Sequence, residues 1–339
     1  MSLVGRFIDD SFALDGTPVL EGAAAFMGEL LLRPAKENGV FRADYVKSEG
    51  VNLADLIRSE VNDKRAWSLH RLTEVMCEGE AYALDKFGTA EEAEQMDPAA
   101  LWDRYQTLLR QAGVIFCYVG SAPAERVEQA VRTAFGPLLT PRSRTLLTHN
   151  VVPAPRGAVR EQTDPMDVAQ GKLALGFRAG GIDLHAPEYP ALLVCNAVYG
   201  GTPTAKLFMN VRERLSLCYF ASSMVNRYKG IMAVSSGVEF SNFQVARDEI
   251  LAQLDKMRAG DFTGEELHAG KQALTSAYRA LLDSQGQVED FWFSQAVAGV
   301  DESPEELSKR VEAVTGEQVA AVAQKIRLDT VYYLTGKEV

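Results

Sequence analysis

An α+β fold in two domains follows from three features of this 339-residue chain. Apolar stretches with helical spacing alternate with short strand-like runs. Two of those runs, 218–227 and 230–240, meet through Arg227-Tyr228-Lys229-Gly230 as a hairpin, so each sheet is expected to be mixed, mostly antiparallel and packed against helices. The length and the 47% apolar content suffice for about two cores. Both halves also run through long helices to a closing strand, 114–119 in the first and 331–334 in the second, as two distant copies of one domain would. The boundaries drawn are 1–139 for the first domain, 140–170 for a Pro- and Arg-rich linker with little periodicity, and 171–339 for the second.

Residues 4–14 read as a strand with no partner strand before it, so the first domain either starts at its first strand or lacks its beginning. A helix follows over 18–32, with Leu20, Ala23, Ala24, Met27, Leu30 and Leu31 on one face and Arg33-Pro34 at its end. Residues 41–77 make one or two long helices, broken at Asn62-Asp63, with Val46, Leu53, Leu56, Ile57 and Val61 on the buried side. Asp97 caps a helix to 110 with Pro98 at its first position. Next come the short buried strand 114–119 and a helix over 123–135, ended by Gly136-Pro137. Within the linker one strand is expected around 149–153.

In the second domain 172–178 is a half-buried strand and 187–199 a helix. Gly200, Gly201 and Pro203 form a turn, and a helix over 204–213 leads into the hairpin. Helices at 242–257, 263–282, 290–300, 304–314 and 317–326 precede the last strand; Thr263 with Glu266, and Thr315 with Gln318, open two of them. Phe291, Trp292 and Phe293 read as core.

The net charge of −11 and the pI near 5.0 weigh against nucleic acid and anionic membrane surfaces as partners. Cys77, Cys117, Cys195 and Cys218 lie in apolar settings without Cys-x-x-Cys spacing, and read as small core residues of a protein in a reducing compartment. No signal peptide or apolar run of membrane length is visible, so the expected location is the cytoplasm.

Two side chains in the 199–240 stretch suit chemistry. Arg212 at a helix end and Tyr219 at the first hairpin strand are both hydrogen-bond donors, able to clamp a peptide carbonyl or a tetrahedral oxyanion. An arginine at a helix C-terminus also complements the helix dipole, and a strand tyrosine commonly packs; spacing alone leaves both roles open. The four histidines are His70, His149, His185 and His268, and no His-x-x-Glu-His occurs. His70 with Glu74 at i+4 reads as a surface pair, and none of the four is assigned to a metal.

The run Tyr199-Gly-Gly-Thr-Pro-Thr-Ala-Lys-Leu-Phe-Met-Asn-Val-Arg-Glu-Arg-Leu-Ser-Leu-Cys-Tyr resembles the second-domain signature of the peptidase M16 family, which includes pitrilysin and the mitochondrial processing peptidase. There a glycine-rich turn precedes a helix, an Arg, and a Tyr seven residues on, and the pair reaches the zinc site carried by another domain. Arg212 and Tyr219 match that pair, although the family's Gly-Leu-Ala-Tyr is here Ser216-Leu217-Cys218-Tyr219. Weaker likeness runs through Glu49-Gly-Val-Asn-Leu-Ala-Asp-Leu-Ile, Asn62-Asp-Lys-Arg-Ala-Trp and Met76-Cys-Glu-Gly-Glu-Ala-Tyr to Phe135-Gly136-Pro137, and resembles the non-catalytic bacterial branch. Active members carry a second glutamate seven residues after the first to complete the zinc site; here Glu49 is followed by Leu56, which ligates no metal.

The resemblance implies two M16-like domains and a non-catalytic protein that binds peptide or unfolded polypeptide. Arg212 and Tyr219 would serve the zinc site of a partner subunit bearing the His-x-x-Glu-His motif. Gly200 and Gly201 would border the substrate, and zinc would reside in the partner with no cofactor in this chain. Two alternatives stand beside it: a fragment of an active zinc endopeptidase whose His-x-x-Glu-His segment is missing, and a purely structural interaction subunit.

Overall fold

The computed structural model describes residues 1–139 and 150–337. In chain order the elements are α1 (Val19–Leu32), β1 (Lys36–Glu37), β2 (Val40–Phe41), α2 (Ala43–Ser59), α3 (Lys64–Met76), α4 (Ala90–Glu94), α5 (Pro98–Gln111), α6 (Ala124–Phe135), β3 (Arg160–Met166), β4 (Gly171–Arg178) and α7 (Tyr189–Asn196). After the π turns Ala197–Gly201 and Leu207–Arg214 come β5 (Cys218–Asn226), β6 (Ile231–Val238), α8 (Phe243–Ala259), α9 (Gly264–Leu281), α10 (Gln285–Ala298), α11 (Pro304–Ala313), α12 (Gly316–Ala323) and β7 (Arg327–Gly336). Among the described residues two compact units form: one from 1–58, 87–139 and 284–297, the other from 59–86, 150–283 and 298–337. None of the described helices is long and apolar enough to cross a membrane.

The second unit is built on a five-stranded sheet of order β3-β7-β4-β6-β5, in which only β3 and β7 run parallel. Helix α3 covers one face, packing Leu72 with Ala174, Tyr332 and Leu334. Because strand side chains alternate, Leu173, Leu175 and Phe177 point to the opposite face, and all three are fully buried. Strand β4 is therefore buried on both faces rather than half buried, as befits the central strand of a sheet covered on both sides.

Polar β3 lies inside the segment expected as linker. Its burial alternates along its length and it carries Pro165, the composition of an edge strand, while its Asp164 accepts from Tyr332 Oη at 3.0 Å and from Arg71 Nε at 3.2 Å. Of the strand expected at 149–153, residues 150–153 are not in a strand and His149 lies outside the described residues, as does the rest of the linker from 140 to 149.

The first unit is mostly helical. Here α1 packs on α6, and α2 sets Ala54 against Ala90 and Ala93 of α4. Its only strands among the described residues are the antiparallel pair β1 and β2, so a sheet like that of the second unit is not repeated there. Residues 114–119, expected as a buried strand, run without strand pairing and leave Ile115 and Phe116 partly exposed; an apolar run becomes a strand only beside a partner ladder. Residues 4–14 likewise form no strand, only a turn at Asp10–Phe12 capped by Asp9.

Smaller corrections concern faces. Leu56 is exposed rather than buried on α2, Cys117 is exposed while the other three cysteines are buried, and of the aromatic trio on α10 only Phe291 enters a core.

Candidate functional site

The path from α7 to β5 positions every residue singled out in the 199–240 stretch. Helix α7 widens into the π turn Ala197–Gly201, anchored by the buried Tyr199, whose hydroxyl donates to the Ile250 carbonyl at 2.9 Å. Gly200 is buried against β5. A Cβ there would come within 2.7 Å of Leu207 Cδ1 and Ser223 Oγ and 2.9 Å of the Ser223 backbone nitrogen, so only glycine lets the turn rest on the strand. Ser223 Oγ in turn donates to Asn196 Oδ1 at 2.7 Å. Gly201 is exposed, and a Cβ on it would meet the Asn196 side chain at 2.6 Å.

The second π turn, Leu207–Arg214, is held to α8 by Asn210, which donates to Gln253 Oε1 at 3.1 Å. It ends at Ser216, whose φ of 51° lies in the left-handed region where helices usually finish on glycine. Of the two departures from the Gly-Leu-Ala-Tyr pattern, Ser216 and Cys218, the first thus falls on the residue with the strained backbone. Leu217 N–H then donates to the Val211 carbonyl at 3.1 Å, closing the turn between Arg212 and β5.

Arg212 sits at the exposed end of this helix, its guanidinium 4.6 Å from the centre of the Phe208 ring and 3.4 Å from the Glu213 carboxylate. Tyr219 is the second residue of β5, one of the two edge strands of the sheet. Cys218 pairs with Val238 and Phe220 with Gly237, so Tyr219 is an extra residue, a β-bulge. The bulge lifts its ring off the pleat: Tyr219 is 66% exposed, and its hydroxyl has no hydrogen-bond partner among the described residues. On the α3 side of β5, Arg65 lays its guanidinium 4.4 Å from the Phe220 ring centre and donates to Ser222 Oγ at 2.9 Å. No spacing in the sequence marks Arg65, because it comes to β5 from α3.

Chemically, this is a strand with no further strand paired to its outer side among the described residues, and with a phenol and a guanidinium at its start. The sequence holds no His-x-x-Glu-His, the motif of the family's zinc site. The position of its second glutamate is Leu56, 48% exposed on α2, and among the described residues no candidate metal-binding group contains two histidines. His185 instead bonds the Ala298 carbonyl at 3.0 Å and Asp183 at 3.2 Å, contacts that raise its pKa, with the carbonyl the larger cause.

Comparison with known proteins bears on the family and the fold. The family model described as the peptidase M16 inactive domain matches residues 95–274. The Bacillus subtilis (strain 168) protein named probable inactive metalloprotease YmfF is 32% identical over 331 residues, covering 97% of this chain and 76% of that protein. Among solved structures, a conserved protein from Enterococcus faecalis V583 superimposes with a TM-score of 0.84 at 26% identity, over 98% of this chain and 77% of that one. A peptidase M16 inactive domain from Pseudomonas fluorescens gives a TM-score of 0.71 at 17% identity, over 94% and 75%.

Proposed function

The chain belongs to the peptidase M16 family, and from that premise we propose that it is a non-catalytic member which binds an extended peptide and lends Arg212 and Tyr219 to the zinc site of a catalytic partner. The observation that carries this reading is Tyr219, an exposed bulge residue on an edge strand, with its hydroxyl unpartnered among the described residues. A peptide or unfolded segment adds to β5 through main-chain hydrogen bonds, as strands do at exposed sheet edges. Tyr219 Oη and the Arg212 guanidinium then donate to the carbonyl oxygen as it gains negative charge.

The partner, an M16 subunit with the His-x-x-Glu-His motif, holds the zinc, which polarises that carbonyl and activates water. This chain supplies no catalytic zinc ligand, in keeping with Leu56 and with the inactive designation of its Bacillus relative. Gly200 supports the edge from beneath, and only the exposed Gly201 is available to border a substrate. The four free thiols suit the reducing cytoplasm.

The test is turnover of a peptide by this chain mixed with a motif-bearing M16 subunit. Tyr219→Phe removes one donor at nearly constant volume, and should lower kcat by about 10²-fold while the chain's melting temperature stays put. Arg212→Lys should also be harmful, because an ammonium does not reproduce the guanidinium fork. Unchanged turnover with a lowered melting temperature makes both residues structural and favours a purely structural subunit.

A further inference from the structure

His70 stands on α3 with the Trp67 ring edge-on to its imidazole, centroids 5.9 Å apart. Three carboxylates converge on it within the second unit. Glu60, from the turn Glu60–Asn62 ahead of α3, places Oε2 3.6 Å from Nδ1. Asp85, from the loop after the turn Ala81–Ala83, places Oδ2 3.1 Å from Nε2. Glu74, one helical turn along α3, lies 3.6 Å from Nε2, but its other oxygen is taken by the Arg71 guanidinium.

Glu60, His70 and Asp85 are all partly buried, and their ligand atoms lie within 4.8 Å of one another. A neutral imidazole has one N–H, so it can donate to the carboxylate at one ring nitrogen and leaves the other nitrogen a lone pair facing an anion. An imidazolium satisfies both contacts with a single positive charge against two carboxylates. A dication matches both charges and uses the ring lone pair.

We propose that Glu60, His70 and Asp85 bind one divalent transition-metal ion. One imidazole nitrogen with two carboxylate oxygens is a borderline donor set of the kind taken by Zn²⁺ and its neighbours in the first row, whereas Ca²⁺ and Mg²⁺ prefer oxygen alone. Bonds of about 2.0–2.2 Å bring the ligand atoms of a zinc site closer together than the widest spacing here, and carboxylates at the ends of rotatable side chains close that gap. The ion pins the turn before α3 and the loop after it to one point on the helix, which makes its role structural. The trio includes neither Glu49 nor Leu56, the α2 positions at which the family's zinc glutamates fall, and is independent of the Arg212 and Tyr219 reading.

The experiment is calorimetric titration of Zn²⁺ into tag-free, full-length chain stripped with chelator, with Mn²⁺ and Ca²⁺ as comparison ions and melting curves alongside. One equivalent of Zn²⁺ is expected to bind and raise the melting temperature. His70→Ala and the near-isosteric Asp85→Asn and Glu60→Gln should each weaken binding by about a hundredfold or more, whereas Glu74→Gln and His268→Ala leave the stoichiometry at one. The asparagine and glutamine variants keep the test meaningful if His70→Ala fails to fold. No saturable Zn²⁺ binding overturns the proposal, as does binding that survives His70→Ala and Asp85→Asn, or a site that takes Ca²⁺ in preference to Zn²⁺.

Discussion

Replacing Glu80 with glutamine should destabilise the second unit far more than its loop position suggests. The Glu80 side chain is 1% exposed, and the two cations nearest it, Arg178 and Lys229, are buried too, with the exposed Arg156 farther off at 4.0 Å. Arg178 Nη2 donates to Glu80 Oε1 at 2.9 Å and to the Met76 carbonyl at 2.6 Å, while Arg178 Nε meets Asp329 Oδ2 at 2.9 Å. The Lys229 ammonium contacts the other Glu80 oxygen. Among these four side chains two positive charges face two negative ones; Glu80→Gln keeps the shape and leaves one positive charge unbalanced.

An exposed ion pair is worth about 0–1 kcal/mol, but removing one partner of a buried pair costs about 3–5 kcal/mol, and burial decides for the larger figure. For a unit of this size each kcal/mol moves the melting temperature by about 2–4 °C, so calorimetry should show a fall of about 6–20 °C. Lys229→Met should also be harmful alone, yet added to Glu80→Gln it should cost less than the sum, since the double variant is balanced again. A fall under about 2 °C, the shift that 1 kcal/mol gives, or strict additivity would refute the reasoning by showing that water reaches the network.

The same pairing has an acid limb. Burial pushes the Glu80 carboxyl up, but hydrogen bonds from Lys229 and Arg178 hold its pKa below the ordinary value. Its stabilisation is therefore full above that ordinary value and fades as the pH falls through the lowered one, a loss the glutamine variant should lack.

Two further outcomes are expected. Gly200→Ala drives a methyl group into Leu207 and the Ser223 backbone, so it should cost about 1–3 kcal/mol in a melting experiment; altered peptide affinity at unchanged melting temperature would instead make Gly200 a substrate contact. The chain alone should hydrolyse no casein-like substrate with or without added zinc, because a guanidinium and a phenol such as Arg212 and Tyr219 can donate to an oxyanion but generate no nucleophile; chelator-resistant cleavage abolished by one point substitution would reveal an active site elsewhere.

What the sequence made legible was local. The helix start at Asp97-Pro98, the capping boxes at Thr263 and Thr315 and the break at Asn62-Asp63 all lie where the spacing put them, since each signal needs only three or four neighbouring residues. The β5–β6 hairpin is there for the same reason. What escaped depends on distant partners. β3 is polar and becomes a strand only beside β7, 170 residues away by register. Leu56 has the helical spacing of a buried residue, but nothing in its own helix says which flank a neighbour covers. Arg178 reads as the end of a strand until Glu80 and Asp329, 98 and 151 residues away, close on it.

The candidate site shows the same division in a single turn. A family motif singled out Arg212 and Tyr219, yet a seven-residue spacing does not say where either side chain points. The direction comes from two backbone irregularities: a left-handed residue at Ser216 that stops the helix, and a one-residue slip between Cys218 and Phe220. In a regular edge strand the residue after Cys218 would sit in register against β6 with its side chain along the pleat. The slip instead leaves Tyr219 as the unpaired residue of the bulge, and with it the exposed ring. Removing the bulge by deleting one residue would shift Tyr219 into register without changing the motif's composition, so the functional reading rests on the bulge as much as on the phenol.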